Sequence, residues 1–272
     1  MRPLGNTGME VSALGLGTVK LGRDQGVKYP QSFTIPDDAS ASALLEKAQQ
    51  LGINLIDTAP AYDRSEQRLG NLLQGQRNNW LICSKVGEEF DNGQSHFDFS
   101  PEHTQMSIER SLERLKTDYI DMVLVHCDGN DQHIIDNMGT LAALEDIKKR
   151  GLIRAFGMST KTAAGGIAAA EQSDIVMLTY NLGYRDEETV LDACAKLGSG
   201  ALIKKALASG HIGPSEQAPL AGSPVEKHED PVAASMDLIF AHEGTSSAII
   251  GTISLDHLEQ NVMAARRSLG LS

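Results

Sequence analysis

The sequence predicts an α/β protein, an eight-stranded parallel (β/α)₈ TIM barrel preceded by a short N-terminal β-hairpin. Three observations predict it. Eight short apolar runs recur along the 272 residues, segments of helical period separate them, and reactive side chains stand at the ends of several runs. Strands that alternate with helices build parallel sheets, and eight such units close a sheet on itself. A barrel of this kind takes about 250 residues, so the length suits a single domain over residues 1–272.

The elements follow in order. Asn6-Thr7-Gly8 is a turn signal between extended segments at Leu4 and Met9 to Ser12, which predicts the hairpin. The runs Leu14–Thr18, Asn54–Asp57, Leu81–Ser84, Ile120–Val125, Ile153–Met158, Ile175–Thr179, Ala201–Lys204 and Ala248–Gly251 are short enough to be buried parallel strands. Between the first two, Leu44, Leu45, Ala48 and Leu51 share a helical face that Gly52 closes. Ser100 as cap and Pro101 in the first turn start a helix whose stripe is Ile108, Leu112 and Leu115. Further helices are expected at Thr140–Arg150, Thr162–Gln172, Glu187–Leu197, Val232–His242 and Leu255–Ser268. Long loops follow the first strand (19–36), the third (86–99), the fourth (127–138) and the seventh (206–231), and extended loops on one barrel face usually surround a ligand.

Composition removes several function classes. With 41% apolar and 22% charged residues the chain is ordinary globular material. Thirty-six acidic against 24 basic side chains give −12, which argues against a nucleic-acid partner. No apolar run reaches the roughly 20 residues of a membrane span, and the start lacks an apolar core of signal-peptide length. Cys83, Cys127 and Cys194 are odd in number and widely spaced, so disulfides and a zinc knuckle are not expected and a reducing, cytoplasmic setting is.

Four side chains carry the chemistry: Asp57, Tyr62, Lys85 and His126, at or just past the ends of three runs. A phenol titrates near pH 10, so it gives up a proton at neutral pH only if its phenolate is stabilised. An ammonium can do that, a carboxylate can hold the ammonium, and an imidazole can orient a carbonyl. Together these groups suit reduction of a C=O bond. Each alone has a blander reading: a helix cap, a packing tyrosine, a solvated lysine, a structural histidine. The set outweighs them because one barrel face would gather all four and a buried lysine needs a carboxylate. A metal hydrolase could use Asp57 and His126, but His96, His103 and His133 fall in loops or on a helix, so no metal site is expected.

The stretch Gly52 to Tyr62 with Ser65-Glu66 and Leu69-Gly70, the run Ile82 to Gly87 and the run Tyr119 to His126 resemble the aldo-keto reductase family. Leu4-Gly5 to Thr18 and Gly251 to Val262 are similar to it as well, so the resemblance covers nearly the whole chain. It implies an NAD(P)H-dependent carbonyl reductase working without metal. In that case Tyr62 donates the proton, Lys85 paired with Asp57 lowers its pKa, and His126 hydrogen-bonds the carbonyl oxygen. By the same family positions Ser159 and Thr160 would meet the nicotinamide, Leu207 and Ser209 the pyrophosphate, and Thr252, His257, Gln260 and Asn261 the adenosine end.

Gly15-Leu16-Gly17 lacks the third glycine of a Rossmann fingerprint. A barrel holds phosphate instead with its last two strand-end loops and a helix start, here Ala208-Ser209-Gly210 and Gly251-Thr252 before the Leu255 helix. Three positions depart from the family pattern. Thr160 stands where Asn is usual, Met177 where Gln is frequent, and Lys204 where an aromatic stacks on the nicotinamide. With Lys205, Lys204 could lend charge to the cofactor, or one lysine could simply be solvated. The family favours NADP(H); the absence of Lys and Arg around Gly251, Thr252 and His257 leaves NAD(H) open. The short tail and the loop Glu88-Glu89-Phe90-Asp91 suggest an open pocket for a small-molecule carbonyl substrate. A monomer and a small homo-oligomer both remain open. The alternative reading is a nucleotide-binding sensor or interaction protein with vestigial turnover.

Overall fold

The computed structural model describes residues 1–211 and 230–271 of the chain. An antiparallel hairpin, β1 (Arg2–Pro3) with β2 (Glu10–Val11), comes first, as expected. Then follow β3 (Leu14–Gly17), α1 (Val19–Gly22), α2 (Asp38–Gln50), β4 (Leu55–Asp57), α3 (Ser65–Leu72) and β5 (Leu81–Val86). A second antiparallel hairpin, β6 (Glu88–Asp91) with β7 (Gln94–Phe97), precedes α4 (Pro101–Leu115) and β8 (Ile120–His126). The chain continues through α5 (Asp131–Asn137), α6 (Thr140–Lys149), β9 (Ile153–Ser159), α7 (Ala163–Gln172) and β10 (Ile175–Thr179). Last come α8 (Glu188–Leu197), β11 (Gly200–Lys204), α9 (Pro231–Ala241), β12 (Ser247–Ile250) and α10 (Leu255–Ser268).

Eight strands, β3, β4, β5, β8, β9, β10, β11 and β12, pair in that order, and β12 returns to β3. Every ladder in the ring is parallel. The closed barrel expected from the alternating pattern is therefore the fold of the chain.

Side chains divide between two cores, as period-2 alternation on a closed sheet requires. Leu55, Cys83, Met122, Leu124, Ile175 and Leu202 fill the inside, and Leu4, Met9 and Val11 of the hairpin pack with them. The hairpin thus plugs the floor. A methyl on Gly200 of β11 would fall 2.6 Å from Leu4 Cδ1 and 3.2 Å from the Leu4 carbonyl carbon, so the glycine gives the plug its room. The other core lies between the barrel and its helices, with Ile56, Ile82, Val123 and Leu178 facing Leu44, Ile108, Leu144 and Leu258.

Ser100 caps α4 by accepting from His103 N at 3.2 Å, with Pro101 in the first turn. Several segments without an expected element contain structure, among them α1 in the expected loop over 19–36. Residues 65–72 are α3, whose inner face is not an apolar stripe: Glu66 is fully buried and accepts from Ser84 Oγ at 2.6 Å. The loop over 86–99 is the β6–β7 hairpin, and the loop over 127–138 contains α5. Of the expected loop over 206–231, residues 212–229 lie outside the described residues.

Candidate active site

The carboxyl ends of the barrel strands bring the four reactive side chains together. Asp57 closes β4, Lys85 is the penultimate residue of β5, and His126 closes β8; β4 ends where its apolar run does, while β5 and β8 run slightly further than theirs. Tyr62 ends a 3₁₀ turn, Pro60–Tyr62, just beyond β4. Lys85 Nζ donates to Asp57 Oδ1 at 2.5 Å, to the Thr58 carbonyl at 2.9 Å and to Tyr62 Oη at 3.3 Å. Those three acceptors match the ammonium's three donors. Tyr62 Oη also lies 3.5 Å from Asp57 Oδ2, and the rings of Tyr62 and His126 meet edge to face at 6.2 Å.

Electrostatics qualify the expectation for Tyr62. Burial raises its pKa well above the ordinary phenol value; Lys85 lowers it, while Asp57 raises it again. The lysine acts in the expected direction, but it does not win. Burial alone would lower Lys85, but Asp57 and Tyr62 hold it above its ordinary value, so the ammonium is permanent. The site therefore holds a protonated phenol beside a fixed cation.

His126 Nδ1 lies 2.8 Å from Glu88 Oε2, an ion-pair contact that falls short of an aligned hydrogen bond. Burial lowers the imidazole, Glu88 raises it, and Lys85 and Lys204 lower it further. Burial would raise Glu88, but His126, Ser95 and Arg23 bring it down to about 2. Nothing in the residue pattern marked Glu88 as a partner of the site. Its loop had suggested an open mouth, whereas the β6–β7 hairpin sets it against His126.

A cavity of about 670 Å³ extends from these four residues. Ser159, Met177, Lys204, Leu207, Ser209, Gly251, Thr252, His257, Gln260 and Asn261 are among the residues that line it. Thr160 does not line it. That residue is fully buried, its hydroxyl has no partner, and it points toward Gly166 of α7. Only its carbonyl reaches the site, accepting from Lys204 Nζ at 2.5 Å.

Lys204 Nζ also donates to Ser159 Oγ at 3.0 Å. Burial brings this lysine down to about 8, against the pull of Glu187. Lys205 is exposed, in a left-handed conformation, and also lines the cavity. Thr252 Oγ1 is engaged in its own turn, accepting from Ser254 N at 3.1 Å, which is the capping reading of that residue. Ser254 in turn caps α10.

The residues present fit a phosphorylated dinucleotide. Lys20, Lys204 and Lys205 put cations on the cavity wall, and the turn at Ala208, Ser209 and Gly210 has positive φ throughout. Two glycines keep the wall low. A methyl on Gly17 would come 3.1 Å from Ile249 Cγ2, and one on Gly251 would come 3.2 Å from Tyr29 Oη. Tyr29 and Lys20, stacked with Nζ 4.1 Å from the ring centroid, are wall residues that the sequence reading passed over in a long loop. Among the described residues no group of His, Cys, Asp and Glu could hold a metal ion, and no helix is long and apolar enough to cross a membrane.

Comparison with known proteins agrees with this architecture. A Pseudomonas aeruginosa protein, provisionally described as an aldo-keto reductase, has a TM-score of 0.87 and 51% identity, covering 98% of this chain and 94% of that one. The holo form of an aldo-keto reductase from Bacillus halodurans has a TM-score of 0.79 and 25% identity, covering 99% of this chain and 94% of that one. L-galactose dehydrogenase of Arabidopsis thaliana is 31% identical over 304 residues, spanning 100% of this chain and 90% of that protein. The Aldo/keto reductase family profile matches residues 13–270, and the chain belongs to that family of oxidoreductases.

Proposed function

We propose that the chain is an NAD(P)H-dependent reductase of small aldehydes or ketones in which Tyr62 is the proton donor. The observation that carries this reading is the Lys85 ammonium, buried and held between Asp57 Oδ1 at 2.5 Å and Tyr62 Oη at 3.3 Å. A binding protein has no use for a cation fixed against a phenol. When bound, the reduced nicotinamide supplies the hydride. Tyr62 Oη supplies the proton to the carbonyl oxygen as the new C–H bond forms, and the Lys85 ammonium stabilises the phenolate left behind. His126, when Nε2 carries a proton, hydrogen-bonds the same oxygen and orients it. Asp57 keeps Lys85 charged and in place.

Ser159, Lys204, Leu207, Ser209, Gly251, Thr252, His257, Gln260 and Asn261 would hold the cofactor. For Thr160 only the backbone is available to the cavity side. NADP(H) is the favoured form, with Lys204 and Lys205 as the charge against its pyrophosphate. The substrate is a small carbonyl compound, the setting is the cytoplasm, and no metal takes part. L-galactose dehydrogenase, among the relatives, is named for a sugar, which is consistent with a polar carbonyl substrate or its alcohol form.

The test is to mix protein, NADPH and a reactive aldehyde such as nitrobenzaldehyde and follow cofactor absorbance. Consumption that depends on aldehyde is expected. Tight NADPH binding with negligible consumption would instead favour a nucleotide sensor, a reading to which the Lys204 contact on Ser159 lends some substance.

A further inference from the structure

Glu88 has no part in the four-residue chemistry, yet its placement is elaborately supported. Ser95 Oγ donates to Glu88 Oε1 at 2.6 Å across the β6–β7 hairpin. Arg23 Nη1 lies 3.9 Å from the same oxygen, donates to the Ala61 carbonyl at 3.0 Å, and its guanidinium sits 3.4 Å above the centre of the Phe90 ring. Arg23 thereby ties the hairpin to the turn that carries Tyr62. The other carboxylate oxygen faces His126 Nδ1, which is buried from solvent. Glu88 Oε2, 2.8 Å away though not aligned as a hydrogen bond, is the carboxylate oxygen that faces a proton on that nitrogen.

We propose that Glu88 is a positioning residue for His126, holding the ring with Nδ1–H toward the hairpin so that Nε2 alone serves the substrate. Nε2 then donates to a carbonyl oxygen when the ring is protonated and accepts from an alcohol hydroxyl when it is neutral. One residue thus has opposite roles in the two directions of the reaction. The inference rests on the carbonyl-reductase reading of the site. The groups facing the imidazole are Glu88 from β6, Lys85 from β5, Lys204 from β11 and the edge-on Tyr62 ring, with Asp57 behind Lys85. Burial and the two lysines oppose the imidazolium, and Glu88 favours it.

The experiment is histidine-selective ¹⁵N NMR of the full chain, titrated with and without Glu88→Gln. In the unsubstituted protein, neutral His126 is expected as the Nδ1–H tautomer. An opposite charge at this range moves a pKa by about 1–3 units, so Glu88→Gln should lower the His126 midpoint by about one unit or more. The pH limb of NADPH-dependent aldehyde reduction should move the same way, with KM for NADPH unchanged. In a His126→Gln background, Glu88→Gln should then change kcat no further. An Nε2–H tautomer in the unsubstituted protein overturns the proposal whether or not any variant folds. So does an unmoved midpoint, or an equal loss of kcat in both backgrounds, since the latter assigns Glu88 to hairpin stability alone. The NMR arm needs no turnover. Absence of aldehyde reduction by the unsubstituted protein would therefore sink the reductase reading separately.

Discussion

At the scale of single residues, the central fact is a phenol kept protonated by burial and a lysine kept charged by Asp57. A proton transferred by a positioned group is typically worth about 10²–10⁴ in rate. Tyr62→Phe is expected to lower kcat for aldehyde reduction by at least that lower factor, and an unchanged kcat would remove Tyr62 from the role. Lys204 makes a second prediction. Its ordinary pKa is lowered by burial to about 8, so the ammonium we propose for the cofactor is lost as pH rises through that value. NADPH affinity should weaken between about pH 7 and pH 9 in the unsubstituted protein. The same titration should be flat in Lys204→Met. An equal slope in both would show that Lys204 charge does not serve the cofactor.

At the scale of elements, capping and close approach decide what is tolerated. Ser100 accepts from His103 N and starts α4. Its loss to alanine should cost about 1 kcal/mol in chemical unfolding, as cap removals typically do. Gly157 in β9 is a harsher constraint: a methyl there would lie 1.8 Å from the Ile175 carbonyl oxygen of β10. Gly157→Ala must spread a ladder that also carries Ser159 against Met177. We expect a loss of about 1–3 kcal/mol, the usual range for forced overpacking. NADPH affinity should fall with it; a variant of unchanged stability would show that the strands yield at no cost.

At the scale of the molecule, His126 and Glu88 are among the groups that make stability depend on acid. His126 has a folded pKa below its ordinary value, so the folded chain resists protonation and stability falls as pH drops below about 6.5. Glu88 is held down to about 2, so its contribution is present above the ordinary carboxyl range and is lost as pH falls through that range toward 2. Both signs agree. Thermal unfolding should show a midpoint that declines on acidification, and Glu88→Gln should make the decline through the carboxyl range shallower. A midpoint indifferent to Glu88 would mean that its charge is not coupled to folding.

Much of this was legible in the residue order. Strand and helix periods depend on neighbours two to four positions away, which is why β3, β4 and β10 to β12 fall close to the apolar runs and α10 coincides with the expected Leu255–Ser268. Asp57, Lys85 and His126 were legible for the same reason, since a strand end on a closed barrel points to one face. Helix α3 was not, because its inner face buries Glu66 and Gly70 in place of apolar side chains. Thr160 looked like a site residue by its position beside Ser159, yet alternation along the strand end turns it into the helix layer. Residue order alone specifies the barrel and which reactive groups stand at its strand ends, because both follow from local pattern. The approach of Glu88 to His126, the grip of Lys204 on Ser159 and the raised pKa of Tyr62 emerge from the folded chain alone. Those depend on distance and burial between segments far apart in the chain, and no local pattern encodes either.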